Sequence, residues 1–234
     1  MSVTIKSERE IELIRKSCHI IAKIHQDLGK ELKAGMSTLE VDSMAEDMIR
    51  SYGCVPNFKN YGGFPGSVCV SINNEVVHGI PSAKRIIQDG DIVSLDMGCI
   101  YKGYHSDAAR THAIGEVSEE KKKLVRVTKE CVDLALEATK PWGTMGDMGY
   151  VCNKHAVENG YSVVREIGGH GCGVQFHEEP WVNHIGEPDE GILFVPGMTF
   201  TIEPMVNMGK PDVWEDEDDG WTIRTEDGKP SAQW

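Results

Sequence analysis

The chain has 234 residues, with 24 Lys plus Arg against 37 Asp plus Glu, for a net charge of −13. Apolar residues make up 40% and charged residues 26%, which suits one large domain or two small ones and excludes a disordered or fibrous chain. So acidic a surface repels phosphate backbones and argues against nucleic acid as a partner.

Ser7-Glu8-Arg9-Glu10 reads as a capping box, and Leu13, Ile14, Ile21, Ile24, Leu28 and Leu32 follow at helical spacing. A helix is therefore expected over about 8–32. A second box, Ser37-Thr38-Leu39-Glu40, opens a helix that stops at Gly53. Segment 67–73 alternates and is rich in Val and Ile, and 91–97 with 103–113 predict a hairpin turning at Tyr101-Lys102-Gly103. Ser118-Glu119-Glu120 starts a third helix, acidic at its first turn, running to about Thr139. Pro141-Trp142-Gly143-Thr144 leads into a fourth that ends at Gly160, and 162–167 and 198–204 read as strands.

This order is an internal repeat. The Gly35 start and the Gly53 stop recur 108 and 107 residues later, at Gly143 and Gly160. Two helix-pair-plus-antiparallel-sheet halves, about 1–115 and 116–234, are expected to pack as one pseudo-symmetric α+β domain. A site between them would draw residues from both. The acidic run Glu215-Asp216-Glu217-Asp218-Asp219 reads as a solvated loop tip.

The apolar stretches are too short to cross a bilayer, and the first six residues lack the apolar core of a signal peptide. Seven scattered cysteines, an odd number without a Cys-x-x-Cys pair, argue against a disulfide framework and for a reducing cytoplasm.

The chemistry-bearing candidates begin with Asp96 and Asp107, whose carboxylates the hairpin could bring together. Two such groups on apolar strands repel unless a proton or cation sits between them. Taken alone, the pair favours a turn Asp and a surface Asp. His170 stands among four glycines in Gly168-Gly169-His170-Gly171-Cys172-Gly173, which brings backbone close and leaves room for a ligand. His78 and His177, each alone, read more readily as satisfied polar residues than as catalysts. Glu203 lies in Phe200-Thr201-Ile202-Glu203-Pro204, where a carboxylate is costly to bury unless paired or metal-bound. Three carboxylates and one imidazole suit a divalent Mn, Fe or Co ion, with Zn as a further option, and clustered carboxylates can bridge two ions.

In combination these motifs are specific. Ser71-Ile72-Asn73-Asn74-Glu75-Val76-Val77-His78-Gly79-Ile80-Pro81 precedes Asp96 and Asp107. Gly169-His170-Gly171, His177-Glu178-Glu179-Pro180 and Gly197-Met198-Thr199-Phe200-Thr201-Ile202-Glu203-Pro204-Met205 follow in order. Over nearly its whole length the chain resembles the type I methionine aminopeptidases. The resemblance implies the pseudo-two-fold pita-bread fold, an antiparallel sheet covered by helices, as in creatinase-like proteins. It implies two divalent metal ions. Asp107 would bridge them, Asp96 would hold the second, and His170 and Glu203 would bind the first. His78 would contact the scissile amide or its leaving nitrogen, and His177 the substrate carbonyl oxygen. The methionine pocket would comprise Tyr61, Phe64, Cys69, Phe176 and Trp221, with Phe58 at its edge, types that suit thioether–aromatic contact.

The implied reaction is removal of the N-terminal methionine from nascent chains in the cytoplasm, with a small second residue preferred. The implied enzyme is a monomer with no membrane or nucleic-acid partner. It would touch the ribosome at most transiently, and not through the zinc-finger extension of some relatives, which this chain lacks. Family members continue Gln-aromatic-Glu-His-Thr, and that Glu is a fifth, bridging ligand. Here the chain reads Ser231-Ala232-Gln233-Trp234 and stops. The expectation is a longer enzyme cut short, lacking its last strands, with weakened metal binding at the second site above all. Gly62, where relatives carry a bulkier residue, bears on pocket width. A proline-dipeptide hydrolase on the same fold, and a binding module that has lost its metals, are the competing readings.

Overall fold

Ser7, Ser37 and Thr144 each accept the backbone N–H of the residue three positions on, and the acidic side chain there returns to the cap N–H. These reciprocal boxes satisfy donors that a helix start otherwise leaves open. They begin α1 (Glu8–Glu31), α2 (Thr38–Ser51) and α4 (Met145–Glu158), and Ser118 caps α3 (Glu119–Ala138). All four expected helices therefore form. The computed structural model describes residues 2–234.

Twelve strands are found among the described residues. In the first half they are β1 (Val55–Pro56), β2 (Cys69–Ile72), β3 (Glu75–Val77), β4 (Ile92–Tyr101) and β5 (Tyr104–Ala113). In the second half they are β6 (Ser162–Val163), β7 (Gly169–Gly171), β8 (Glu178–Val182), β9 (Met205–Asn207), β10 (Val213–Glu215), β11 (Ile223–Thr225) and β12 (Ser231–Gln233). The β4–β5 hairpin turns at Lys102 and Gly103, both at positive φ. β4 also pairs antiparallel with β1 and β2. β9 lies between β12 and β6, β11 between β10 and β3, and β7 pairs with β8.

Each helix pair buries one apolar stripe on its own sheet. Ile21, Ile24 and Leu28 of α1 join Val41, Ala45 and Ile49 of α2 over Val70, Ile72, Val93 and Leu95. Leu124, Val127 and Cys131 of α3 join Met148, Cys152 and Ala156 of α4 over Val163, Val206 and Ala232. Most of the cysteines are small buried residues in these cores, and all seven are free thiols.

Two strand expectations need correction. Within 162–167 only Ser162 and Val163 pair. The segment 198–204 is not a strand. Phe200 makes one isolated bridge to Gly171, the Glu203 N–H goes to the His184 ring, and Pro204 has no N–H to give. That interrupted ladder is what turns the Glu203 carboxylate toward the hairpin.

Candidate metal centre and substrate pocket

In the β4–β5 register Asp96 faces Ala109, and Gly98 faces Asp107. Side chains alternate along a strand, so residues 96 and 98 share a face with 107, and the two aspartates are diagonal neighbours. From the second half come His170 on β7 and Glu203 on the interrupted segment. His170 Nε2 lies 3.2 Å from Asp107 Oδ2 and 3.7 Å from Glu203 Oε1. One ligand atom each from Asp107, His170 and Glu203 lies within 4.8 Å of the others. Asp96 stands outside that tight trio but beside Asp107, in the same buried wall.

The surroundings orient these groups. A carbonyl only accepts, so His170 Nδ1 donates to the Gly171 carbonyl at 2.8 Å and turns Nε2 toward the carboxylates. Thr201 Oγ1 donates to Glu203 Oε1 at 2.6 Å and accepts the His170 N–H at 2.9 Å. Gln233 Nε2 donates to the other oxygen, Oε2, at 3.2 Å.

Burial, then the neighbouring Asp107 and Glu203, push the Asp96 carboxyl well above the carboxylate range. Burial and Asp107 raise Glu203 to about 7, against the pull of His170, Thr201 and Gln233. Burial disfavours the His170 cation, but Asp107 and Glu203 overcome it and lift the imidazole to about 9. Asp96 Oδ1 and Asp107 Oδ1 are buried without a partner. A buried carboxylate oxygen left bare, among carboxyls that repel one another, asks for positive charge. With an imidazole aimed at the same point, the donor set fits a divalent cation.

Beside this cluster lies a cavity of about 380 Å³. Phe58, Tyr61, Phe64, Cys69, Phe176 and Trp221 line it, together with His78, His177 and all four candidate ligands. Phe176 anchors one wall, with Phe58 at 5.0 Å and Tyr61 edge-on at 4.8 Å between ring centroids. Phe64 meets Trp221 edge-on at 5.3 Å. Gly62 sits at φ +57, and a Cβ there would touch the Trp221 ring at 3.4 Å, so its bareness widens this wall.

The two outer histidines are held as neutral rings. Burial, helped by His170, lowers His177 to about 4, and its Nδ1 meets the Tyr61 hydroxyl at 2.9 Å. Burial also lowers His78, against the pull of Asp107. His78 adopts φ 60, a left-handed conformation that a histidine reaches only at a cost. The next residue, Gly79, must be bare, because a Cβ there would collide with the Val70 carbonyl at 2.3 Å.

Sequence reasoning missed four supports. Thr201 and Gln233 act as above. His184 is fully buried and lowered to about 3 by burial, and its Nε2 accepts the Glu203 N–H at 3.0 Å. His105 stacks almost parallel to Phe176 with centroids 6.2 Å apart. Nothing in Trp181-Val182-Asn183-His184 signals a partner 19 residues away.

The chain is similar to known proteins along nearly its whole length. The model of metallopeptidase family M24 matches residues 12–228. A methionine aminopeptidase of Clostridium acetobutylicum is 44% identical over 99% of this chain and 92% of its own length. The crystal structure of methionine aminopeptidase from Rickettsia prowazekii superposes with a TM-score of 0.97 at 34% identity, over 99% of this chain and 93% of that one. Prolidase from Pyrococcus furiosus is more distant, with a TM-score of 0.78 at 26% identity, over 98% of this chain and 60% of that one. The paired helices and antiparallel sheets are thus the pita-bread fold. The chain belongs to metallopeptidase family M24, among its methionine aminopeptidases.

Proposed function

We propose that this chain removes the N-terminal methionine from peptides and nascent proteins by metal-assisted hydrolysis, with Asp96, Asp107, His170 and Glu203 as the metal ligands. The observation that carries the reading is the convergence of Asp107, His170 and Glu203 within 4.8 Å, against a cavity lined by aromatic rings and Cys69. When bound, a divalent cation supplies Lewis-acid activation of the scissile carbonyl and of water.

The chain's own residues do the rest. The rings of Phe58, Tyr61, Phe64, Phe176 and Trp221 receive the flexible thioether, which favours ring-edge contact. In the tautomer in which the Tyr61 hydroxyl donates to Nδ1, neutral His177 carries its single proton on Nε2. That N–H is free to donate to the substrate carbonyl oxygen as charge develops there. His78, held at the pocket wall, contacts the scissile amide or its leaving nitrogen. Thr201, Gln233 and His184 fix Glu203 before any ligand arrives, so its orientation costs nothing during the reaction.

The reading extends to finer points. A full site would hold two divalent ions, drawn from Mn, Fe, Co or Zn, with Asp96, Asp107, His170 and Glu203 as the residues that would hold them and the second ion held less tightly. The two pseudo-symmetric halves act as one catalytic domain, and the enzyme works as a monomer with at most transient ribosome contact. Seven free thiols support a cytoplasmic setting, and among the described residues no helix is long and apolar enough to cross a membrane.

The test is methionine release from Met-Ala-Ser after chelator stripping and titration with Mn and Co, with Gly-Pro as the competing substrate. A parallel sample carries Glu-His-Thr after Trp234. Release that depends on metal, in either sample, supports the reading. Activity only in the extended sample assigns a fifth ligand to the added Glu. Cleavage of Gly-Pro alone favours a proline dipeptidase, and no cleavage in any sample overturns the proposal.

A further inference from the structure

The arm before α1 lies outside every helix and strand, yet it is firmly held. Lysine is seldom buried unless paired, and Lys6 is only 4% exposed. Its Nζ donates to Glu178 Oε2 at 2.6 Å and to the Thr4 carbonyl at 3.1 Å. The two charged side chains are nearly sealed from solvent, at 0% and 7% exposure. Glu178 Oε1 accepts the N–H groups of Val174 at 2.6 Å and Gln175 at 2.8 Å. One carboxylate therefore ties the arm to the turn that carries Phe176 and His177. The backbone is anchored as well, since the Lys6 N–H donates to the Gly197 carbonyl at 2.8 Å. Gly197 must be bare there: its φ is +98, and a Cβ would come within 2.6 Å of Ile5.

The tip of the arm borders a second opening. Ser2 and Thr4 line a cavity of about 470 Å³ that also touches His170, His177, Glu179 and Trp181. The aromatic pocket is lined by His170, His177 and Trp181 too, so the two spaces adjoin. A peptide whose first side chain fills the aromatic pocket must lead the rest of its chain out past the same histidines.

We propose that the Lys6–Glu178 pair latches the 174–178 turn in its working position, and that the arm it holds forms one wall of the channel for the peptide beyond the scissile bond. Lys6 is then a positioning residue, acting through Glu178 on Phe176 and His177. The channel half of this inference rests on the aminopeptidase reading above. The latch half does not.

The test separates the two. Amide hydrogen exchange is followed on the metal-stripped chain, where no turnover is needed. Lys6→Met is expected to speed exchange at Val174 and Gln175 by about tenfold or more, while the cores of α1 and α3 keep their protection. Lys6→Arg restores the slow rates. If Lys6→Met does not fold by circular dichroism, Glu178→Gln is read in the same way. Unchanged exchange at 174 and 175 in a folded variant overturns the latch. With Mn added, kcat for Met-Ala-Ser is expected to fall about tenfold in Lys6→Met and to recover in Lys6→Arg. Thr4→Trp, which keeps the ion pair, is expected to raise KM for a Met-Ala hexapeptide at least threefold more than for Met-Ala-Ser. Equal shifts for the two substrates overturn the channel. Faster exchange combined with no methionine release in any sample sinks the aminopeptidase reading and leaves the latch standing.

Discussion

His184 Nε2 accepts the backbone N–H of Glu203 at 3.0 Å, and it does so as a fully buried, neutral ring. The contact fixes the backbone of Glu203, from which its carboxylate extends four bonds further along, and no strand ladder is available to do so. Replacing the ring by phenylalanine leaves a buried N–H unpaired, at a cost of about 1–3 kcal/mol. His184→Phe is therefore expected to fold with a lowered Tm. Its affinity for Mn, measured by calorimetry, is expected to fall by about 10–100-fold. Unaltered affinity would mean that Thr201 and Gln233 alone orient Glu203.

Asp96 offers the opposite sign. Its carboxyl is buried, its Oδ1 has no partner, and its neighbours Asp107 and Glu203 disfavour its charge. Asp96→Asn keeps the shape and removes that conflict. The metal-free protein is expected to match or exceed the parent in Tm. The gain in Tm on adding Mn is expected to shrink, by about 1–3 kcal/mol of lost binding free energy. A thermal melt with and without the ion reads both.

Trp221 packs edge-on against Phe64 and reaches the bare Gly62 beside it. Trp221→Ala opens the wall of the aromatic pocket. KM for Met-Ala-Ser is expected to rise by about tenfold, with kcat changed much less, because the lost contact is equal in ground and transition states. A matched fall in kcat with unchanged KM would place this ring in the chemistry rather than in substrate capture.

His25 predicts the acid limb of stability. Burial lowers it from 6.5 to about 3, and its Nε2 donates to the Ala108 carbonyl at 2.8 Å. The folded state thus binds this proton far less readily than the unfolded chain. Its neutral form contributes fully above pH 6.5, and stability is lost as pH falls from there toward 3. The slope from this one group is about 1.4 kcal/mol per pH unit. His25→Gln, which retains a donor, is expected to flatten the decline between pH 6 and 4 in urea titrations. An equally steep decline would assign it to the buried His112 or to the carboxylates.

Legibility tracked the range of the interactions. Helix starts lie within four residues of chain, so Ser7, Ser37 and Ser118 announced α1, α2 and α3 before any fold was known. The hairpin was equally local, and its pleat brings Asp96 and Asp107 to one face. The pocket residues were named through family resemblance rather than periodicity, and all of them line one cavity. What stayed hidden depends on contacts across the chain. Segment 198–204 looks like a strand until its N–H groups are followed to the His184 ring and the His170 carbonyl. Lys6 and Glu178 are 172 residues apart, and neither carries a local mark of the other.

The centre between hairpin and second half also has a mechanical meaning. Asp96 and Asp107 lie on β4 and β5, while His170 and Glu203 arrive from β7 and the segment before β9. A cation gripped by all four would close loops between positions 96 and 107, 107 and 170, and 170 and 203, so it would act as a removable rivet through the middle of the polymer. Pulled from its ends, the loaded chain should give way in shorter steps than the stripped one, with the enclosed length released only when the rivet fails.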